Sequence, residues 1–291
     1  MTFELKKGSL RAVVRTKGGE LVSLQNGEGL EYIWQGDPAF WTGQNPILFP
    51  IVGTLKDGRV DINGKHYAMG RHGFARGMEF SLVERGADVI TLELQENEDT
   101  LACYPFPFSL MVTHRLLEDG FSTAFTVENT GTAPMPFCIG AHTAIRCPLR
   151  PGERFEDYEL LFNEPEEADS HLLNGEGLIR CDGREPMLEA GKMALDYERF
   201  ARMDTVIFSM LRSGKVSLIH RATGEGVALD FLPFPMVAFW TKPGAPYLCL
   251  EPWHGCAAWE DESGKFEEKP FCIVLRPGEK KELAYTFEII V

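Results

Sequence analysis

With 291 residues the chain can bury a large core, as one big domain or two modest ones. Hydrophobic residues make up 44% and charged residues 25%, the balance of a soluble globular protein. The net charge of -14 sets the surface against nucleic acid and anionic membranes, and mildly against heavily phosphorylated substrates unless a local arginine cluster overrides the global field.

The opening segment, MTFELKKGSL, has no apolar targeting run, and no window is apolar for the length needed to span a membrane. Strand signals then dominate. Residues 59–62 and 65–68, joined by Asn63-Gly64, read as a hairpin closed by a type I′ turn. Phe121, Thr123, Phe125 and Val127 alternate with Ser122, Ala124, Thr126 and Glu128, the period of a half-buried strand. The acidic stretch 153–169 has aromatic and Leu residues interleaved, and reads as a strand with solvated flanks. Helix signals are sparse; residues 196–203 read as one short helix with Tyr197, Phe200 and Ala201 on a common face. The apolar run 247–250 reads as a strand whose ladder Pro252 stops, and Leu283, Tyr285, Phe287, Ile289 and Val291 repeat the strand period.

Turn dipeptides such as Asp57-Gly58, Asp119-Gly120, Asn174-Gly175 and Pro277-Gly278 punctuate the chain throughout, as its 29 Gly and 18 Pro allow. No long amphipathic segment supports βαβ units, and there is no linker or internal repeat. The expectation is an all-β fold, one domain over residues 1–291 with two large packed antiparallel sheets. The seven cysteines are scattered and form no CxxC pair, which suits mostly buried, reduced thiols in a cytoplasmic protein. No His and Cys set has zinc spacing, so no metal is expected.

Three strings carry the chemistry: His72-Gly73-Phe74-Ala75-Arg76, Gly140-Ala141-His142-Thr143 and Glu251-Pro252-Trp253-His254-Gly255. Two imidazoles and a carboxylate are the parts needed to move protons between two oxygens of a small polar substrate, and aromatic rings wall its carbon faces. Each residue also has a plainer reading. Glu251 is a general base, or a structural carboxylate accepting backbone N–H groups at a turn. His142 is a general acid, or a core histidine held by a carbonyl. His72, flanked by Arg71 and followed by Arg76, bonds a sugar oxygen, or is a solvated loop residue. Asp204 accepts from two hydroxyls, or merely flanks a strand. No phosphate-cradling Gly-rich loop, G-x-S-x-G elbow or H-E-x-x-H is present, and the one close thiol–imidazole pair is Cys256 beside His254.

These strings, in this order, resemble the aldose 1-epimerase (galactose mutarotase) superfamily, in its LacX-like branch. The resemblance also takes in Phe49-Pro50-Ile51-Val52-Gly53 and Leu55-Lys56-Asp57-Gly58, and runs over nearly the whole chain. It implies a β-supersandwich and interconversion of the α and β anomers of a free aldose, with no cofactor. By resemblance, Glu251 is the base at the C1 hydroxyl, His142 the acid at the ring oxygen and His72 the second histidine. Asp204 is then the hydroxyl-binding aspartate; Trp253, with Arg71 and Arg76 from the His72 loop, is expected among the substrate-binding residues. Two positions depart from the family pattern. Thr54 stands where the branch carries an arginine, and Thr143 where it carries a proline. The alternatives are an epimerase for a hexose 6-phosphate, a sugar-binding protein without turnover, and a glycosidase with paired carboxylates, for which no second strand-end carboxylate presents itself. The expected partner is a small sugar, not nucleic acid or membrane, and the expected state is monomer or homodimer.

Overall fold

The computed structural model describes residues 1–291. Two large sheets form the body of the fold, and every ladder within them is antiparallel. The nine-stranded sheet runs Lys192–Ala194, Tyr158–Phe162, Lys215–His220, Gly226–Asp230, Lys280–Ile290, Gly120–Asn129, Phe108–Leu116, Val89–Gln95 and Ser81–Arg85. The eight-stranded sheet runs Ile179–Leu188, Ala168–Leu173, Thr205–Ser209, Met236–Trp240, Tyr247–His254, Ile139–Ala141 and Ile47–Leu48, with Thr143–Arg146 also paired to Tyr247–His254. A three-stranded sheet, Thr2–Lys7, Leu10–Arg15 and Glu20–Gln25, and two two-stranded ones complete the set. No helix is long and apolar enough to cross a membrane.

The period-two pattern decides which faces meet. In Gly120–Asn129 the side chains of Phe121, Thr123, Phe125 and Val127 are buried, and those between them are half-buried. The register sets Phe121 opposite Phe287, Thr123 opposite Tyr285 and Phe125 opposite Leu283. Cross-strand pairs on one face are the stabilising unit of a sheet, and the Phe121 and Phe287 rings stack with centroids 5.3 Å apart. Val291 falls outside this pattern: the strand's last partner is Gly226, opposite Ile290, and beyond it Val291 has no ladder to pack on and is 96% exposed. The hairpin Arg59–Ile62 with Lys65–Ala68 turns at Asn63 and Gly64, both at positive φ, as a type I′ turn requires.

Three local expectations change in the structure. The stretch 153–169 is two strands, not one: Tyr158–Phe162 lies in the nine-stranded sheet, and the strand beginning at Ala168 lies in the other. Side chains hold the crossing between them. The Asn163 carbonyl accepts from the Gly214 and Lys215 N–H groups, and the Glu166 carboxylate from those of Arg212 and Ser213. The helix is Tyr197–Met203, capped by Asp196, and it buries Phe200 and Met203 while Ala201 stays exposed, because residues three apart share the packed face. A second helix, Glu98–Cys103, starts at a capping box between Asn97 and Thr100 that the sequence reading passed over.

The strand carrying Glu251 also runs further than its proline suggested. It continues through Pro252 to His254, with Val237 opposite Pro252 on one side. On the other side it pairs first with Thr143–Arg146 and then with Ile139–Ala141, and the break between those two strands is His142. The N–H that Pro252 lacks therefore falls where the neighbouring ladder is already interrupted, a place a sheet tolerates proline. The His142 N–H turns away to the Pro46 carbonyl at 3.0 Å.

Candidate active site

That interruption brings two of the singled-out side chains together. His142 Nε2 lies 3.3 Å from Glu251 Oε1, on the floor of a cleft cut into the eight-stranded sheet. Glu251 is 1% exposed, so it sits inside the sheet, not at its mouth. Its Oε2 accepts from the Trp253 indole N–H at 3.2 Å, and its Oε1, like His142 Nδ1, has no hydrogen-bond partner. Buried polar atoms without partners are uncommon, and at a cleft floor they are places for a ligand's hydroxyls. Gly140 makes the approach possible: a Cβ there would stand 2.8 Å from both the Pro252 carbonyl oxygen and the Trp253 ring.

Burial sets the charge of this pair. It pushes the Glu251 carboxyl well above the ordinary carboxylate range, against the Trp253 hydrogen bond and with help from the Asp204 charge. Burial likewise pulls His142 down to about 3, against a backbone hydrogen bond and assisted by the Arg76 and Arg71 charges. Burial thus favours the neutral form of both groups across this 3.3 Å contact.

His72 comes from a different element. It has φ 67, and two backbone groups of Gly53 clasp it. The His72 N–H donates to the Gly53 carbonyl at 2.8 Å, and the Gly53 N–H donates to His72 Nδ1 at 3.1 Å. An Nδ1 that accepts leaves the ring proton on Nε2, so His72 is a neutral donor there. Burial, then the charges of His142, Arg76 and Arg71, hold its pKa well below the usual value. Its ring meets His142 edge-on, centroids 5.6 Å apart.

Asp204, Arg71, Arg76, Trp253 and Thr54 line the same cleft of about 770 Å³, open mouth included, so all the residues singled out for the site are brought together. Asp204 follows the helix Tyr197–Met203 at φ 58, a conformation that costs a non-glycine residue energy, and the Thr205 hydroxyl donates to its Oδ2 at 3.1 Å. Arg71 Nε donates to the Thr54 hydroxyl at 3.0 Å, and Arg76 Nη2 to the Arg71 carbonyl at 3.0 Å. The side chain at position 54, a threonine, is thus in contact with the guanidinium of Arg71. Neither Arg71 nor Arg76 has a carboxylate within ion-pair distance.

The sequence reading missed the aromatic wall. Trp41 lies tilted over His142 at 4.9 Å between centroids, and Trp240 meets it edge-on at 5.5 Å. Both sit beside Gly or Pro turn residues, Thr42-Gly43 and Lys242-Pro243-Gly244, the same context that marked the three strings. Leu173, Gly177, Thr205, Ile207 and Ala257 complete the lining that was not foreseen. Cys256 and His254 do not join it: His254 Nδ1 bonds the Phe271 carbonyl at 2.8 Å, and burial drives the Cys256 thiol up to about 12. His142, Cys249 and Glu251 bring three potential metal-ligating atoms within 4.8 Å of one another. Ligation there would need a thiolate at Cys249, whose proton burial and Glu251 hold in place, and would occupy His142 and Glu251 as well.

Cleft, fold and sequence agree on a class. A β-rich body carries a cleft with a buried carboxyl group and imidazole on its floor and tryptophans for walls. Residues 1–288 match the aldose 1-epimerase family model, and the chain belongs to that family. The LacX proteins of Lactococcus lactis subsp. lactis, plasmid and chromosomal, are each 37% identical over 299 residues, covering all of both chains. A galactose mutarotase related enzyme from Lactobacillus acidophilus superposes with a TM-score of 0.95 at 29% identity, over 100% of this chain and 98% of that one. A galactose mutarotase-like protein from Lactobacillus casei gives a TM-score of 0.93 at 28% identity over 100% of both.

Proposed function

We propose that the cleft interconverts the α and β anomers of a free aldose. The observation that carries this reading is the buried Glu251–His142 contact at 3.3 Å, which sets the carboxyl proton of Glu251 beside the His142 imidazole. Transfer of that proton from Glu251 to His142 produces a carboxylate beside an imidazolium without any exchange with solvent. The carboxylate then takes the proton of the C1 hydroxyl, the bond from C1 to the ring oxygen breaks, and His142 protonates the ring oxygen. The open-chain aldehyde rotates about C1–C2, and closure on the other face reverses both transfers. The proton then returns from His142 to Glu251, and each group ends in the state in which it began. His72 Nε2–H is a fixed donor for the ring-oxygen side, and the Arg71 guanidinium, oriented by Thr54, adds positive charge where negative charge develops. Asp204 accepts hydroxyl protons at the mouth, and Trp41, Trp240 and Trp253 cover the carbon faces.

One observation favours a second reading. Arg71 and Arg76 line the cleft without carboxylate partners, which suits an anionic substituent such as the phosphate of a hexose 6-phosphate. Polarimetry or NMR exchange on freshly dissolved α-D-glucose, α-D-galactose and their 6-phosphates separates the readings. Faster anomer exchange of the free sugars is the expected result, and acceleration confined to the phosphates selects the second. Binding of every sugar with no acceleration of any would overturn both and leave a sugar-binding protein.

A further inference from the structure

Outside the cleft, two thiols stand opposite one another. The short strands Met135–Phe137 and Ile273–Leu275 pair Met135 with Leu275, Pro136 with Val274 and Phe137 with Ile273. The ladder ends there, and its register continued by one step would set Cys138 opposite Cys272. Neither backbone N–H crosses the gap: that of Cys138 goes to the Pro50 carbonyl at 2.7 Å and that of Cys272 to the Lys269 carbonyl at 3.0 Å. An opposed antiparallel pair that exchanges no backbone hydrogen bonds is the close kind, with Cα atoms about 4.5 Å apart. That separation lies within the span of roughly 4.4–6.8 Å that a disulfide bridges. The side chains are also close enough to act on one another: the Cys272 thiol first, and burial second, hold the proton on Cys138. Cys138 is fully buried, whereas Cys272 is partly exposed.

We propose that Cys138 and Cys272 form an oxidisable pair that closes to an intramolecular disulfide on meeting a low-molecular-weight disulfide such as glutathione disulfide. The accessible Cys272 thiolate attacks one sulfur of the oxidant, making a mixed disulfide and expelling one thiol. Cys138 gives up its proton to the departing thiolate as it attacks the Cys272 sulfur, and the second thiol leaves. Two protein thiols become one disulfide, and the oxidant is reduced to two thiols. The residues flanking the pair tie it to the sheet that bears the cleft. Cys138 leads directly into Ile139–Ala141 and His142, and a Cβ on Gly255 would stand 2.6 Å from its sulfur. Phe271, beside Cys272 and at φ 59, accepts from His254. His254, unused in the cleft, thus anchors the segment that presents Cys272.

The test treats the folded full-length chain with glutathione disulfide, alkylates the remaining thiols and maps the peptides by mass spectrometry. A Cys138–Cys272 crosslink, reversed by dithiothreitol and accompanied by a higher melting temperature, is expected. In Cys138→Ala, Cys272 should end as a stable glutathione adduct. In Cys272→Ser, changed at the more exposed position, Cys138 should stay free. Wild-type protein in which Cys272 carries glutathione while Cys138 remains alkylatable would overturn the proposal, as would a crosslink joining Cys138 to Cys256.

Discussion

A carboxyl group buried as deeply as Glu251 works against the fold that holds it. Its native pKa is raised, so the folded state binds a proton that the unfolded chain releases once the pH passes the ordinary carboxylate value of 4.5. Stability from this group is complete below that value and is lost as pH rises through the native pKa. Glu251→Gln keeps the shape and removes the titration. At neutral pH it should melt at a higher temperature than wild type while anomer exchange falls about 10²–10⁴-fold, the usual worth of a general base. A variant as fast as wild type would remove Glu251 from the mechanism. Thr54→Val tests the neighbouring departure from the family pattern. It deletes the hydroxyl that accepts from Arg71 Nε, a bond worth about 1 kcal/mol, so kcat/KM should drop several-fold with the fold intact. An unchanged kcat/KM would show that Arg71 needs no help from Thr54. The site's proton-handling groups were legible as residue types beside Gly, Pro and aromatic rings. The tryptophan wall was not, because Trp41 and Trp240 come from segments that carry no proton-transfer group to draw attention to them.

At the scale of elements, glycines decide how closely the site's segments approach. Gly73 sits at φ 71, and a Cβ on it would stand 2.3 Å from the Phe49 carbonyl oxygen, a backbone atom that cannot step aside. Gly73→Ala should therefore destabilise the protein by more than the roughly 1–2 kcal/mol of a left-handed alanine alone. It should also lower kcat/KM, because His72 is the preceding residue. Chemical denaturation and the anomer assay check the two effects separately, and a neutral Gly73→Ala would mean that the segment moves freely. Long alternating strands were legible from period two alone, as in 120–129, where one face is buried and the other half-exposed. What local pattern could not convey was which strands abut. The crossing held by Asn163 and Glu166 is fixed by hydrogen bonds to residues some fifty positions away. Pro252 looked like a terminator, yet it is accommodated because the adjacent ladder breaks at His142, a fact of the neighbour and not of its own sequence.

Over the whole molecule, histidines set the response to acid. His72, His114, His142, His171 and His254 all have lowered native pKa values, with burial the largest cause in each. The unfolded chain protonates them below the ordinary imidazole value of 6.5, whereas His114 holds out to about 4 and His142 to about 3. The unfolded state therefore binds more protons across this window. Stability is fully present above 6.5 and is lost as pH falls, by about 1.4 kcal/mol per unit for each fully buried imidazole. Denaturant midpoints should decline increasingly steeply from about pH 6.5 downward. A flat profile to pH 5 would mean that these imidazoles are protonated in the folded protein. The acidic composition, with its net charge of -14, gave no hint of this, since it speaks only for exposed groups.

The tryptophan wall has an optical consequence. Of five tryptophans in the chain, Trp41, Trp240 and Trp253 border the cleft, two against His142 and one hydrogen-bonded to Glu251. Intrinsic ultraviolet emission is thus concentrated where a sugar would sit, and any occupant that displaces water from these indoles should change its intensity or colour. Titrating glucose, galactose and their 6-phosphates while watching the native fluorescence would rank ligands by affinity without a label. It would do so even for variants such as Glu251→Gln, in which turnover can no longer be seen. The same titration on Trp41→Phe should lose much of the signal, and an undiminished response would place the ligand elsewhere.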